Sequence, residues 1–381
     1  MKKLYMDNGA TSFPKAPNVS KAMCTYIEEI GTNVGRGAYE NAFAAQRVIE
    51  HTRELLCSLF NFPTTSNVIF TKNITESMNI LIKGLLSEGD HVIVSPLEHN
   101  AVMRPLVSME GKGVTFDRAI CDQEGNLDIN SVEILIKPQT KAIIMTHASN
   151  VCGTILDLES VGKLAKKHGL FFIIDAAQTA GLIDIDMAKL NVDALAFTGH
   201  KGLLGPQGTG GFLITDALAK EIPPLIEGGT GSRSDSEEQP NYLPDKYESG
   251  TPNTVGLFGL HAALLYLEEI GLEQILKIEH ARTQQFIKGL ENFEDLRLVG
   301  TSDILKRTAV VSLDFSPRDN AEISWTLEQN FGISTRVGMH CAPSAHKTLS
   351  TFPQGTVRFS FSSFTTEEDI AYALNALEQI L

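Results

Sequence analysis

The sequence lacks long apolar runs, basic clusters and the motifs of a secreted protein. None of its 381 residues lies in a run approaching about 18 uninterrupted apolar residues. The first seven residues, MKKLYMD, lack the apolar stretch of a signal peptide. Lys and Arg number 32 against 46 Asp and Glu, and the net charge of −14 argues against nucleic acid or an anionic membrane as a partner. We therefore expect a cytoplasmic protein that binds neither.

Cysteine is also scarce, and its placement excludes a metal centre or a disulfide framework. The five cysteines are odd in number, no two have CxxC spacing, and His and Cys do not cluster. Cys24 and Cys57 fall in amphipathic helical patterns and Cys152 takes an apolar place, so we predict that all three are packing residues. Cys121 lies in a loop context without a partner. Cys341 has a different setting, described below.

The chain has ample apolar residues for a large core, and their order predicts an α/β fold. Hydrophobic residues make up 43% of the sequence. Residues 68–215 alternate short apolar strands with amphipathic helices, which is typical of a mostly parallel sheet covered on both faces. The Gly-rich stretch 227–256 interrupts this pattern, and residues 232–238 are predicted to form an exposed loop. Two long helices and an α+β segment follow.

We accordingly predict a large domain over residues 1–255 and a smaller α+β domain over 256–381 that includes the connecting helices. The N-terminal segment 1–15 is expected to lie against the functional site or the small domain.

Two predicted strands of the large domain end beside charged residues. Asp175 closes the strand FFIID, and Lys201 follows the strand ALAFT. Ligands of α/β sheets gather where strands end, so both side chains are expected in one crevice. A lysine that forms a Schiff base, facing a carboxylate that keeps a pyridine nitrogen protonated, is what pyridoxal 5'-phosphate (PLP) requires. A capping Asp and a surface Lys explain the pair alone equally well.

Four further patterns fit the same cofactor, although each has a simpler explanation. Thr75 begins a helix after a strand, where backbone N–H groups and its hydroxyl could bind phosphate; an ordinary N-cap is the alternative. His99 follows a strand and could stack on an aromatic ring, unless it is a capping or surface His. Asn150 lies in a turn that could reach a phenolic oxygen or be a polar loop. Gly250 and Thr251 precede a long helix, where they could form a second contact with phosphate; plain capping of the helix is the alternative.

Together and in this order, the motifs resemble the class V branch of fold-type I PLP enzymes, and most closely the cysteine desulfurase and selenocysteine lyase group. The resemblance begins at MDNGAT, residues 6–11, and runs nearly to the C-terminus. It implies a fold-type I PLP-dependent transferase: an α/β protein with a large, mostly parallel mixed sheet and a smaller α+β C-terminal domain. It also implies a homodimer in which Gly250 and Thr251 reach the phosphate of the neighbouring subunit.

The resemblance implies a role for each site residue. Lys201 would carry the cofactor, Asp175 would pair with its ring nitrogen, and His99 would stack on the ring and assist proton transfer. Gln178, with Asn150 nearby, would bond the phenolic oxygen. The phosphate would be held by Thr75, Thr198 and His200. Asn8, Arg336 and Arg358 would bind the substrate, the two arginines by forking its α-carboxylate.

The segment TRVGMHCAP, residues 335–343, resembles the loop that carries the sulfur-accepting cysteine in the desulfurase group. Cys341 is therefore expected to be the nucleophile, and the adjacent His340 could favour its thiolate if the two side chains are in contact. A structural thiol is the alternative for Cys341 alone.

The reaction predicted from the resemblance is conversion of L-cysteine to L-alanine, with sulfur left on Cys341 as a persulfide and passed to an acceptor protein. The alternatives are a selenocysteine lyase that releases selenide, another class V aminotransferase or lyase, and a non-catalytic PLP-binding protein.

Overall fold

A computed structural model describes residues 2–34, 37, 39–233 and 235–381. Its first half contains a seven-stranded sheet and the helices around it. The elements up to this sheet's last strand are β1 (Leu4–Tyr5), α1 (Val19–Thr25), α2 (Glu40–Leu59), β2 (Val68–Thr71), α3 (Ile74–Leu85), β3 (His91–Val94), α4 (Asn100–Glu110), β4 (Thr115–Arg118), α5 (Ile129–Ile134), β5 (Thr140–Thr146), α6 (Leu158–His168), β6 (Phe171–Asp175), β7 (Ala194–Thr198) and β8 (Gly210–Ile214). The strand order is β2-β8-β7-β6-β5-β3-β4, and β8 runs antiparallel to both of its neighbours.

Both faces of this sheet are covered, as the uniformly apolar strands predict. Along β6, Ile173 points into one core, and Phe172 and Ile174 point into the other. Helices α3 and α4 cover the first face, together with α7 (Asp216–Glu221). Helices α2 and α6 cover the second, with α8 (Thr254–Ile270). The carboxyl ends of β3, β5, β6 and β7 consequently meet at one edge, where side chains can face a ligand.

The C-terminal part forms a second layer of sheet and helices. Its elements are α9 (Leu272–Leu290), β9 (Arg297–Val299), β10 (Val310–Asp314), α10 (Asn320–Phe331), β11 (Ile333–Ser334), β12 (Arg336–Gly338), α11 (Pro343–Thr348), β13 (Thr356–Ser360) and α12 (Glu367–Ile380). The antiparallel sheet β12-β13-β10-β9 packs against α9, α10 and α12 around a core that includes Phe286 and Phe359.

The N-terminal segment belongs structurally to this C-terminal layer. Strand β1 pairs in parallel with β11, and Leu4 and Met6 lie in the C-terminal core. Residues 8–15 then cross to the edge of the large sheet, where the amide N–H of Ser12 donates to the carbonyl of His200. The chain therefore joins the two layers twice, and the domain boundary at residue 255 stays a prediction.

The main elements agree with the sequence prediction, and the differences have clear causes. Strand β4 was not predicted, because three of its four residues are polar and all four are exposed or partly exposed at the sheet edge. In the predicted exposed loop 232–238, the described residues are exposed or partly exposed, and Ser234 lies outside the described residues. Within the described chain no single helix is long and apolar enough to cross a bilayer, whereas α8 and α9, bent by 83° relative to each other, pass that test only as a pair.

Candidate active site

Asp175 and Lys201 lie at the same edge of the large sheet. Strands β6 and β7 are parallel neighbours with Asp175 opposite Ala196, and Lys201 follows three residues after the end of β7. Burial raises the pKa of Asp175, whereas the Ala177 N–H, 2.9 Å from Oδ1, and the charge of Lys201 oppose this rise. Burial likewise lowers the pKa of Lys201 to about 8, against the opposing charge of Asp175. The lysine amine is therefore more readily deprotonated than an exposed one.

The loop that bears Lys201 is held by close backbone contacts. Gly181 has φ of +83°, and a Cβ there would lie 2.4 Å from the Gly202 carbonyl oxygen, so a larger residue would displace the loop. On the other side, the His200 carbonyl accepts hydrogen bonds from the Thr11 and Ser12 side chains and from Lys15 Nζ, at 3.0 to 3.2 Å. These contacts fix the direction in which the Lys201 side chain leaves the backbone.

His99 begins α4 at the same edge and is held as a neutral ring. Its Nδ1 accepts the Ala101 N–H at 3.0 Å, so the proton of the neutral imidazole lies on Nε2. Burial, together with the charges of Lys201 and three arginines, lowers the pKa of His99 to about 4. The ring is thus an N–H donor at neutral pH.

Glu98, the residue before His99, is buried and hydrogen-bonded at the same edge of the sheet. Its Oε1 accepts from the Ser95 hydroxyl at 2.5 Å and from the Thr146 N–H at 2.8 Å, which joins the ends of β3 and β5. Burial raises the pKa of Glu98 to about 8. The sequence analysis did not single out this residue, although an acid directly after a buried strand and before His99 was a usable signal.

Arg336 and Arg358 form a cross-strand pair of like charges. The antiparallel register of β12 and β13 places them directly opposite each other. Such a pair is unfavourable unless an anion lies between the two groups. Arg358 is 1% exposed, and its Nη1 and Nη2 donate to the Asn150 carbonyl at 3.0 Å and to Asp7 Oδ1 at 2.7 Å. Three of its five N–H groups remain for a further acceptor.

Asp7, which was quoted only as part of a motif, is the counter-ion of this buried arginine. We expect Asp7→Asn to lower the free energy of unfolding by about 3 kcal/mol, because it leaves a buried guanidinium without its carboxylate. Glu367→Gln, which removes the charge of a 70% exposed carboxylate paired with Arg282, is the matched control and should cost less than about 1 kcal/mol. Urea denaturation at pH 7 measures both, and equal losses would contradict the prediction.

Cys341 is exposed on the short loop between β12 and α11, and the backbone of this loop is hydrogen-bonded to other elements. His340 and Cys341 have φ of +46° and +60°. The His340 carbonyl accepts from Asn150 Nδ2 at 2.7 Å, and the Cys341 carbonyl accepts from the Asn100 N–H at 2.8 Å. Asn150 thus connects the Cys341 loop with Arg358, and its predicted cofactor contact stays a prediction.

The His340 ring does not serve the neighbouring thiol as a cation. It is 4% exposed and lies in the C-terminal layer, with Nε2 2.9 Å from the Thr356 hydroxyl. Burial, with the charges of Arg358 and Arg336, lowers the pKa of His340 well below its usual range. The expectation that His340 could favour a Cys341 thiolate by acting as a cationic neighbour is therefore not met.

Six of the predicted site residues line two cavities, three residues in each. One, of about 40 Å³, is lined by Asn8, Gln178 and Lys201 among others; Gln178 Nε2 donates to the Gly9 carbonyl at 3.1 Å. The other, of about 320 Å³, is lined by Thr75, His99 and Cys341 among others.

The groups predicted to hold phosphate have unused bonding capacity. Asn73, not Thr75, is the N-cap of α3 and accepts from the Glu76 N–H, so the exposed Thr75 is available to a ligand. His200 Nδ1 is buried and has no hydrogen-bond partner among the described residues. Thr198 is buried, and its hydroxyl oxygen lies 3.5 Å from the Thr209 carbonyl oxygen.

Gly250 and Thr251 are not brought to either of these cavities. Both are exposed and line a separate cavity of about 230 Å³ with Thr71 and Lys72.

Cys24, predicted to be a packing residue, is exposed on α1, so that prediction is wrong; Cys57 and Cys152 are buried as predicted. The error arose because α1 is short and only Val19 of its seven residues is buried.

The chain belongs to the class-V aminotransferase family, whose model matches residues 4–372. It is 34% identical to a probable cysteine desulfurase of Pyrococcus abyssi and 32% identical to one of Methanothermobacter thermautotrophicus; each alignment covers 99% of this chain and 94% of the relative. The predicted family membership is thereby confirmed.

Solved structures confirm the predicted fold class. The apo cysteine desulfurase of Thermococcus onnurineus NA1 superposes with a TM-score of 0.93 at 32% identity, covering 99% of this chain and 94% of that one. The cysteine desulfurase CsdA of Escherichia coli superposes with a TM-score of 0.88 at 27% identity, covering 98% and 94%.

Proposed function

We propose that this protein is a PLP-dependent cysteine desulfurase that converts L-cysteine to L-alanine and retains the sulfur on Cys341. The observation that carries the proposal is the register of β12 and β13. In this register Arg336 lies directly opposite Arg358, which supports the proposal that the pair binds an anion. Cys341, which is exposed, follows Arg336 by five residues. A carboxylate-binding pair beside a thiol suits an amino acid whose side chain carries sulfur.

The residues at the sheet edge fit PLP. The Nδ1 of His200, which has no partner among the described residues, and the exposed Thr75 in the first turn of α3 suit a phosphate, because ring N–H and helix N-terminal groups donate to anions. Asp175, behind Lys201, suits a protonated ring nitrogen, and His99 suits a stacked ring. When bound, PLP withdraws electrons from the substrate Cα and so makes its proton removable.

The protein's own residues would then divide the chemistry. Arg336 and Arg358 orient the substrate carboxylate. Lys201, with its lowered pKa, removes the Cα proton as a general base. The Cys341 thiolate attacks the substrate sulfur: a new S–S bond forms, the Cβ–S bond breaks, and its electron pair stays with the substrate carbon. Protonation of that Cβ, with His99 Nε2–H near the reacting centre, and return of a proton from Lys201 to Cα complete L-alanine.

The pKa of Lys201 gives a test that needs no turnover. Because a lowered pKa means earlier loss of the proton as pH rises, reductive methylation of Lys201 in cofactor-free protein should reach half of its maximal rate at pH about 8. Lys163 is the internal control, since its ion pair with Glu159 raises its pKa. Peptide mass spectrometry reports both sites, and parallel pH profiles would contradict the assignment.

The proposal extends to location and assembly. A cytoplasmic location agrees with the five cysteines, all of them free. A homodimer agrees with the exposed apolar side chains Ile27, Tyr39 and Phe43 and with the outward position of Gly250 and Thr251, which would complete the phosphate site of the neighbouring subunit. The sulfur would pass onward to an acceptor, since persulfide must leave Cys341 before a second turnover.

The test of the function is product analysis. PLP-loaded protein is incubated with L-cysteine or L-selenocysteine, with and without reductant, and alanine is quantified. We expect alanine from L-cysteine, limited to about one per site without an acceptor or reductant. A keto acid in place of alanine would identify an aminotransferase. Alanine from L-selenocysteine but not from L-cysteine would identify a selenocysteine lyase, and no product from either would identify a non-catalytic protein.

A further inference from the structure

The outer part of the cavity at Cys341 carries charges to which the proposed desulfurase chemistry gives no role, whereas Thr75 and His99 at its inner end are proposed to hold PLP. The cavity extends between α3 and α4, from Thr75 and His99 outwards to Lys83 and Arg104, and holds about 320 Å³. None of the described residues that line it is acidic. Neither Lys83 nor Arg104 forms an ion pair or a side-chain hydrogen bond with a described residue. The outer end of the cavity therefore carries two uncompensated positive charges.

The positive field reaches the inner end of the same cavity. Arg104 is one of the cations whose charge lowers the pKa of His99, and His99 lines the cavity with Cys341. An anion that entered from solvent would be attracted along the whole path to the thiol. The volume is at the lower end of the range for small-molecule pockets, which suits a compact ligand.

The Cys341 thiol cannot travel to meet a distant acceptor. The carbonyls of His340 and Cys341 are each hydrogen-bonded to another element, to Asn150 and to Asn100. Ala342 is buried, and Pro343 then begins α11. Because the backbone is fixed on both sides of the thiol, an acceptor must come to Cys341, and this cavity is open beside it.

We propose that this cavity is the entry site for a small anionic thiol, which collects the sulfur from Cys341 while Lys83 and Arg104 bind its carboxylate or sulfonate groups. This inference rests on the proposed desulfurase function and names the chemical class of its acceptor.

The transfer needs no oxidant or reductant. The acceptor thiolate attacks the outer sulfur of the Cys341 persulfide, and a new S–S bond forms as the old one breaks. The electron pair of the broken bond leaves with Cys341 Sγ as a thiolate. The outer sulfur keeps its proton and ends on the acceptor, so one negative charge enters and one remains.

Two thiols that differ in charge provide the test. The PLP-loaded protein is given L-cysteine for one turnover and desalted. Loss of the extra sulfur atom is then followed by intact mass spectrometry with 2-mercaptoethanesulfonate or 2-mercaptoethanol at equal thiolate concentration. We expect the sulfonate to react about tenfold faster at low ionic strength, with the advantage lost in high salt. Equal rates at low ionic strength would overturn the inference.

Substitutions locate the effect. Arg104→Glu combined with Lys83→Glu should abolish the preference for the sulfonate, and Arg104→Lys should retain most of it. Lys112→Glu, an exposed cation on the turn after α4 that does not line the cavity, is the control and should keep the full preference. Persistence of the preference in the double variant would place the anion site elsewhere and overturn the inference. If the unsubstituted protein forms no alanine in the first turnover, the proposed function fails; if alanine forms and release is independent of charge, only the acceptor site fails.

Discussion

Lys201→Ala is expected to lower kcat for alanine formation from L-cysteine by about 10⁴-fold or more, the scale on which enzymes lose rate when a covalent catalytic group is removed. Two functions disappear together: the amine that attaches PLP and the base that removes the Cα proton. The lowered pKa of Lys201 serves both, because only a neutral amine is a nucleophile or a base.

The measurement separates lost chemistry from lost structure. The Lys201→Ala variant with bound PLP should have a melting temperature at least as high as that of the cofactor-free unsubstituted protein. The reason is that removing a partly buried amine costs little packing. Lys163→Ala is the control, because Lys163 is an exposed lysine that pairs with Glu159 and lines neither cavity at the sheet edge. It should retain most of the activity. Comparable losses in the two variants would argue that Lys201 is merely one of several structural cations.

Cys341→Ala is expected to lower alanine formation from L-cysteine by at least about 10³-fold, because no second cysteine is among the described residues that line the two cavities at the sheet edge. Cys341→Ser should be nearly as inactive, since a hydroxyl is a far weaker acceptor of sulfur than a thiolate. PLP absorbance should be unchanged in both variants, because Lys201 and Asp175 remain.

Cys24→Ala is the matched control for Cys341→Ala. Both cysteines are exposed and free, but Cys24 lies on α1 and lines neither cavity at the sheet edge. It should retain full activity and full persulfide content, measured by intact mass after one turnover. Full alanine production by Cys341→Ala would remove the desulfurase assignment and favour another class V lyase.

The positions of Asp175, Lys201 and His99 could be predicted because strand ends are local features. Each follows a short apolar run, and parallel strands bring their carboxyl ends to one edge whatever the details of packing. The exposure of Cys341 was not itself predicted, although it suits the nucleophile that the resemblance implies.

Contacts between distant segments could not be predicted in the same way. The pairing of Asp7 with Arg358 joins residues 351 positions apart, and nothing in either local pattern specifies it. The His340 ring contacts Thr356 and the backbone at His340 has positive φ, and sequence adjacency to Cys341 reveals neither. The exposure of Cys24 likewise depends on what covers α1, not on its own periodicity.

The pairing of β1 with β11, and of Asp7 with Arg358, also constrains how the protein is made. Residues 4–7 are synthesised long before residues 333–358, with which they pair. The large sheet can form earlier from neighbouring segments, whereas the proposed substrate pocket cannot close until residues 333–358 have been synthesised. A nascent or C-terminally truncated chain would thus contain Lys201 in its folded sheet without the means to hold an amino acid beside it, which keeps reactive cofactor chemistry from starting on an unfinished protein.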